Sequence, residues 1–260
     1  MMRKIIIILV VAIFATSMAN AQTIMNIHMK GGGATQIPVD QIEKITFTGG
    51  FLPSAEGTVT DIDGNVYPIT KIGNQIWMAA DLKVTRYRNG EAIKVPGTNR
   101  EAWSTNTEGA LAWYENDEYV YKQSYGALYN YFAVVNPKGL CPAGWHTPSN
   151  QEWKILQEFL GGWREAGKKL KSEKSGFGTH PRWTGENTGG TNETKFSALP
   201  SGYRHKIGTF GDIGLSSTYW SSTELNATDT YNWVLKSNSG QFNGGWALKN
   251  SGFAVRCVKN

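Results

Sequence analysis

Only two cysteines occur in the 260-residue chain, and each sits in a stretch with strong local signals. Cys141 opens L-C-P-A-G-W-H-T-P-S-N-Q-E-W-K-I-L-Q-E-F-L, residues 140–160. Cys257 lies in the last nine residues, G-F-A-V-R-C-V-K-N. The first stretch specifies a turn followed by a capped helix. Ser149 with Glu152 three positions on forms a capping box, and Pro148 is placed to staple against Trp153. Trp153, Leu156 and Leu160 recur at helical spacing, with Ile155 and Phe159 widening the apolar stripe. Gly161 and Gly162 supply the stop, which leaves a helix of about three turns.

Residues 1–21 have the form of a secretory signal. Arg3 and Lys4 make a basic start, residues 5–14 an apolar core, and Ala19, Asn20 and Ala21 an A-x-A cleavage site. The apolar run is too short to span a bilayer, so no membrane span is expected in the mature chain. With no cysteine in the segment, a lipid anchor there is not expected either. The predicted location is secreted, periplasmic or outer cell surface. In an exported chain an even pair of cysteines favours a disulfide over a metal pair or a free nucleophile. A bridge closing more than 100 residues contributes about 4–5 kcal/mol by chain entropy.

Removing Arg3 and Lys4 from the 26 basic residues leaves 24 against 21 acidic ones, a net charge of +3. That is too mild and too dispersed for a nucleic-acid partner. The one basic cluster, Lys168, Lys169 and Lys171, reads as a solvated helix face. Ten Trp, eleven Tyr and thirty Gly with 18% charged residues argue for a loop-rich, aromatic-rich folded protein and against disorder.

Along the chain, residues 23–48 predict a glycine-turned hairpin, and 48–57 a linker. The organisation is therefore a signal peptide (1–21), a small N-terminal β element with linker (22–50) and one larger domain (51–260). In 57–88 the pattern is strand, turn, strand. Asp61, Asp63 and Asn65 look superficially like a calcium loop, but Gly64 falls at the fourth position and Ile72 at the twelfth. An Asp-Gly turn is the better reading. Residues 89–126 read as polar loop, and 125–135 as a short helix. A second helix is expected over about 163–172. A Gly/Thr/Asn-rich stretch, 173–195, precedes short strands at 196–204, 217–223, 230–237, 245–250 and 253–259. Phe253, Val255 and Cys257 share one strand face. Two central helices, short antiparallel strands and long loops make an α+β fold.

The segments WMAADLK (77–83), YGALYNYFAV (125–134), LCPAGWHTPSNQEWKIL (140–156), GKKLKS (167–172), FSALPSGYR (196–204), YWSST (219–223) and AVRCVKN (254–260) resemble the Fibrobacter succinogenes major paralogous domain. The likeness is collinear over about 56–260. It implies a variant of the C-type-lectin-like fold, distantly related to formylglycine-generating enzymes. It also implies a surface or secreted protein of Bacteroidetes and their relatives. In such folds a cysteine near the first helix bonds to one in the final strand, and Cys141 and Cys257 match those positions.

No reaction follows from the resemblance. The E-P-N or Q-P-D and W-N-D motifs of calcium-dependent lectins are missing, so calcium is unsupported and no cofactor is expected. Both cysteines are better explained by the fold-closing bridge than by formylglycine-type copper chemistry. His28, His146, His180 and His205 are scattered without G-x-S-x-G or H-E-x-x-H. No catalytic residues are therefore assigned. Binding is the remaining class. Planar aromatics beside amides suit glycan or protein ligands, and Trp183, Asn187, Asn192, Asn243 and Trp246 are the candidate residues. The competing reading has Trp183 and Trp246 pinning long loops to the core, while Trp145, Trp153, Trp220 and Trp233 are expected in it. A second class is a structural subunit or adhesin component assembling through 22–50. The sequence leaves the oligomeric state open.

Overall fold

The computed structural model of the chain describes residues 24–28, 34–41, 57–173, 181–185 and 187–260. The expected signal segment, Gly31, Gly32, Gly33, most of the linker, Phe177, His180 and Glu186 lie outside them. The chain divides into two compact units, Met1–Phe51 and Leu52–Asn260. In the first, β1 (Ile24–His28) and β2 (Ala34–Pro38) pair antiparallel, Ile24 opposite Pro38 and His28 opposite Ala34.

The second unit mixes short helices with curled sheets. It begins with β3 (Thr58–Thr60), β4 (Val66–Ile72) and β5 (Gln75–Met78), then α1 (Arg100–Ser104), β6 (Leu111–Ala112), α2 (Glu118–Tyr125), β7 (Leu128–Tyr129) and α3 (Tyr131–Val134). There follow β8 (Trp145–His146), α4 (Asn150–Phe159) and α5 (Ala166–Leu170). The last part holds β9 (Ser201–Arg204), β10 (Phe210–Ile213), β11 (Ser216–Glu224), β12 (Asp229–Lys236), β13 (Phe242–Leu248) and β14 (Val258–Lys259). One five-stranded sheet runs β10-β9-β11-β12-β13, another β3-β4-β5-β14-β8, and β6 pairs with β7.

Two expectations are corrected. The 89–126 stretch contains α2, capped by the Asp117 side chain on the Val120 N–H. The 125–135 segment is split into β7 and the four-residue α3, with Asn130 capping the latter. Its apolar spacing suited a helix, but pairing with β6 and a bridge to Phe253 claim its first half.

The central helix forms as its local signals specify. Ser149 Oγ accepts from the Glu152 N–H, and Glu152 Oε2 accepts from the Ser149 N–H at 2.8 Å. At the other end Gly161 N–H donates to Glu158 O and Gly162 N–H to Gln157 O, a Schellman stop with both glycines at positive φ. Trp153, Leu156 and Leu160 are buried, while Ile155 and Phe159 point outward. The buried stripe is thus narrower than the sequence pattern. Pro148 fixes the next contact, its carbonyl accepting from the Ser222 N–H of β11.

Protein groups bond both oxygens of the Asp61 carboxylate in its turn. Asp61 Oδ1 accepts from the Asp63 and Asn65 N–H groups, and Oδ2 from Asn65 Nδ2 and the Tyr67 hydroxyl. Gly64 takes the positive φ that closes the β3–β4 hairpin.

Cys141 and Cys257 are bridged, with Cα atoms 6.0 Å apart and a sequence separation of 116. The segment carrying Cys257 is buried on both faces from Ser251 to Val258. Phe253, Val255 and Cys257 enter one core cluster with Tyr129, Trp145 and Trp220. Ala254 and Val258 enter the other, with Trp77, Trp153, Trp183, Phe196 and Trp233. The expected common face of Phe253, Val255 and Cys257 is present. Regular strand pairing covers only the last part of 253–259, because the remainder bonds in turn to β7, β11, Leu82 and β5.

Replacing both cysteines by serine should lower unfolding free energy by about 4–5 kcal/mol in chemical denaturation, and Ser149→Ala by about 1 kcal/mol. Burial pushes the Glu152 carboxyl up, but the Ser149 N–H, the Ser149 hydroxyl and His146 together hold it below its ordinary value. A carboxyl lowered in the fold stabilises above its unfolded pKa, and that contribution is lost as pH falls through the folded one. Glu152→Gln should therefore flatten the acid limb of the stability–pH profile relative to wild type.

Candidate functional site

The five residues singled out in the sequence separate into two groups. Trp183 and Asn187 lie around Lys171, just past the end of α5, and Asn192 lies in the loop that follows. Helix α5 approaches the 240–241 loop because Gly167 has no side chain: a Cβ there would lie 2.4 Å from the Gln241 carbonyl oxygen. The Lys168 N–H bonds Gly240 O across that contact. Lys171 then turns inward, fully buried, and its Nζ donates to the carbonyls of Thr188, Lys236 and Ser239 at 3.1, 3.1 and 2.8 Å. A longer contact of 3.4 Å reaches Ser237 O, and the Trp183 ring lies 5.3 Å from the ammonium. No carboxylate pairs with it among the described residues. Burial lowers the amine to about 8, while the carbonyl dipoles favour its charged form.

Trp183 is 0% exposed and donates its Nε1–H to Ala198 O at 3.0 Å. It therefore takes the second of its two readings and anchors the loop to the core. Asn187, at positive φ, donates Nδ2–H to Ser172 O and is buried. Asn192, also at positive φ, accepts the Ser197 N–H and donates to its hydroxyl. These three side chains hold loop backbone and leave little free for a ligand. The basic cluster is corrected in the same place. Lys168 and Lys169 pair with Glu165 and Glu193 at the surface, whereas Lys171 is interior.

A second buried cation, Arg256, pairs with Asp81. Its Nε and Nη2 both lie 2.7 Å from Asp81 Oδ1, and its Nη1 donates to Phe196 O. Burial raises the Asp81 carboxyl despite the guanidinium and the Tyr219 hydroxyl, both of which favour its charged form. The pair floors a hollow of about 250 Å³ that Gln123, Ser124, Ser197 and Leu199 also line. A third, Arg204, bonds the carbonyls of Gly97 and Gly208 between the Trp103 and Phe210 rings. All three cations tie loops to strands, which single-sequence charge patterning does not reveal.

His146 and Glu152 are joined at 2.8 Å, and the other His146 nitrogen faces Asn260 Oδ1. With Glu152 committed to the helix cap, the pair is accounted for structurally.

Asn243 and Trp246 form the other group, on β13. Phe242, Gly244 and Trp246 alternate onto one face, opposite Leu235, Trp233 and Tyr231 of β12. Phe242 is buried and Trp246 is 67% exposed. Between them Gly244 opens the strand down to the Trp233 ring, which a Cβ at that position would meet at 3.4 Å. Trp233 Nε1 donates to Asn150 Oδ1 at the start of α4, so the floor of this notch is fixed by the capped helix. Asn243, on the opposite face, is exposed and its amide bonds Gln241 Oε1 at 3.0 Å. The result is an exposed indole across from Tyr231, beside a glycine notch and above a buried ring. A planar apolar ligand face can stack there.

The two groups should respond oppositely to truncation. Trp183→Ala should destabilise by about 3–5 kcal/mol, and Trp246→Ala by no more than about 0.5 kcal/mol. Lys171→Met should cost about 3 kcal/mol, because several buried carbonyls lose their donor. Thermal and denaturant unfolding of the three variants checks this.

No helix among the described residues is long and apolar enough to cross a membrane. Neither a curated protein nor a solved structure matches the chain. The sequence pattern of the Fibrobacter succinogenes major domain matches residues 70–259, a span from mid-β4 through β14 that takes in α4, the bridge, the Lys171 cage and the β13 notch. The chain therefore belongs to the Fibrobacter succinogenes major domain family.

Proposed function

We propose that the chain is an exported, non-enzymatic binding module of C-type-lectin-like type, with its ligand face on β13 around Trp246. The observation that carries this reading is the exposed indole held on a regular strand, opposite Tyr231 and next to the Gly244 notch. Rigid scaffolds that present a few exposed aromatic and amide groups suit recognition. Pyranose rings have apolar faces and polar edges, and the apolar face of one can stack on the exposed Trp246 indole. A glycan is thus the favoured ligand class. Engagement of both cysteines in the bridge supports a non-enzymatic reading over formylglycine-type oxidation, which needs free thiols.

A second reading, assembly through the N-terminal β element, rests on the β1–β2 pair. Among the described residues those strands pair only with each other, so each keeps an open edge. Removing residues 22–50 should then lower the assembled mass in light scattering while leaving ligand binding intact.

A glycan array probed with the purified chain tests the leading reading. Binding is expected to be lost in Trp246→Ala and retained in Asn192→Ala. Retention of full binding by Trp246→Ala would move the site off β13.

A further inference from the structure

We propose that the outer edge of β13 pairs antiparallel with β13 of a second copy of this chain, about a twofold axis through Gly245. The hydrogen-bond phase of the strand comes first. Phe242 turns its backbone away from β12, its N–H donating to Trp163 O and its carbonyl accepting from Gln157 Nε2. At the other end Lys249 N–H donates inward to Thr228 O. In an antiparallel ladder bonded and non-bonded pairs alternate. Asn243, Gly245 and Ala247 therefore bond to β12, and Gly244 and Trp246 direct their N–H and C=O groups outward. No described residue bonds those four groups.

This edge lacks the usual protections. Residues 237–248 carry no charge and no proline, and among the described residues β13 is the terminal strand of its sheet with no neighbour beyond it. Its ends are nevertheless closed, by Gln157 and Trp163 at Phe242 and by the Ser251 N–H on Leu248 O. The free stretch is therefore short and favours a partner that matches it residue for residue.

A second copy does so in one register. Pairing Gly244 with Trp246 of the other copy, and Trp246 with its Gly244, makes two bonded pairs and uses all four outward groups on each strand. Gly245 then faces Gly245 across the axis. The same pairing sets each indole opposite a glycine, on the face where Gly244 opens onto the Trp233 ring. Aromatic residues paired across from edge glycines shield the exposed backbone. An unrelated extended peptide would use the backbone groups but not both notches. A four-bond ladder with two aromatic–glycine pairs is a small interface, of the kind found in weak, reversible complexes. This assignment goes beyond the ligand reading and does not rest on it.

Sedimentation velocity of the full chain, from micromolar to near-millimolar concentration, is expected to show a reversible monomer–dimer equilibrium. Gly244→Pro removes one outward N–H and no bond to β12, a position where an edge strand tolerates proline. It should be monomeric throughout with an unchanged melting temperature. Trp246→Ala should weaken the dimer roughly tenfold, two cross-strand pairs being lost. Under mild oxidation Gly245→Cys should cross-link to itself and Asn243→Cys should not, since the native cysteines are already bridged. A wild type monomeric at every concentration overturns the proposal, including one that instead captures an unrelated extended peptide at this edge. So does a dimer that survives in folded Gly244→Pro, or Asn243→Cys cross-linking as fast as Gly245→Cys. Glycan binding by monomeric Gly244→Pro would leave the ligand reading standing alone.

Discussion

The structure depends on one seam, residues 252–258, buried on both sides and bonded to nearly every element around it. Gly252 exchanges backbone bonds with Arg204, Phe253 with Tyr129, and Ala254 with Thr218 and Trp220. Val255 O accepts from Leu82 and Cys257 O from Met78. One face of the seam feeds one core cluster and the opposite face the other. A strand buried twice must satisfy its backbone with protein partners, and these bonds do so with pieces of several sheets. The bridge from Cys257 to Cys141 then fixes the seam to the turn before α4. Position in this fold is set by a shared central chain more than by any single large sheet.

Loops are held to that frame by buried cations. Lys171 collects carbonyls from the 188 and 236–239 segments, Arg204 those of Gly97 and Gly208, and Arg256 that of Phe196. Carbonyl oxygens can stabilise a buried cation without a carboxylate, as at Lys171, because each dipole turns its negative end to the charge. One long side chain thereby orders several glycine-rich segments whose own backbone preferences are weak. The loops around the candidate site are consequently part of the scaffold. Beyond the cage, on β13, the Trp246 ring remains open to solvent.

Much of the frame was legible in the sequence because it is written locally. Ser149 and Glu152, the paired glycines after α4, and Asp61 with Gly64 all act within a few residues. The 125–135 segment was misread because its helical spacing competes with pairing to β6 and Phe253, partners far away in sequence. Lys171 was misread for a related reason. A lysine beside two other lysines looks solvated, and only the carbonyls converging from elsewhere turn it inward. Of the candidate site, Trp246 and Asn243 are placed openly, whereas Trp183 and Asn187 were indistinguishable from them by composition. What separates the two groups is the Lys171 cage, which no local pattern encodes.

The seam also sets a kinetic character for the molecule. Its partners lie at positions 78, 82, 129, 204 and 218–220, so almost every contact that completes either core closes a long loop. Helices α4 and α2 can form early from their own caps, but neither core is sealed until the seam is threaded between them. Chains dominated by such distant pairings fold slowly, with loop-closure entropy spent before native contacts reward it. Early formation of the 141–257 crosslink would shorten the searches that bring positions 78, 82 and 129 to the seam. The oxidation step then acts on the rate of acquiring the fold as well as on its final stability.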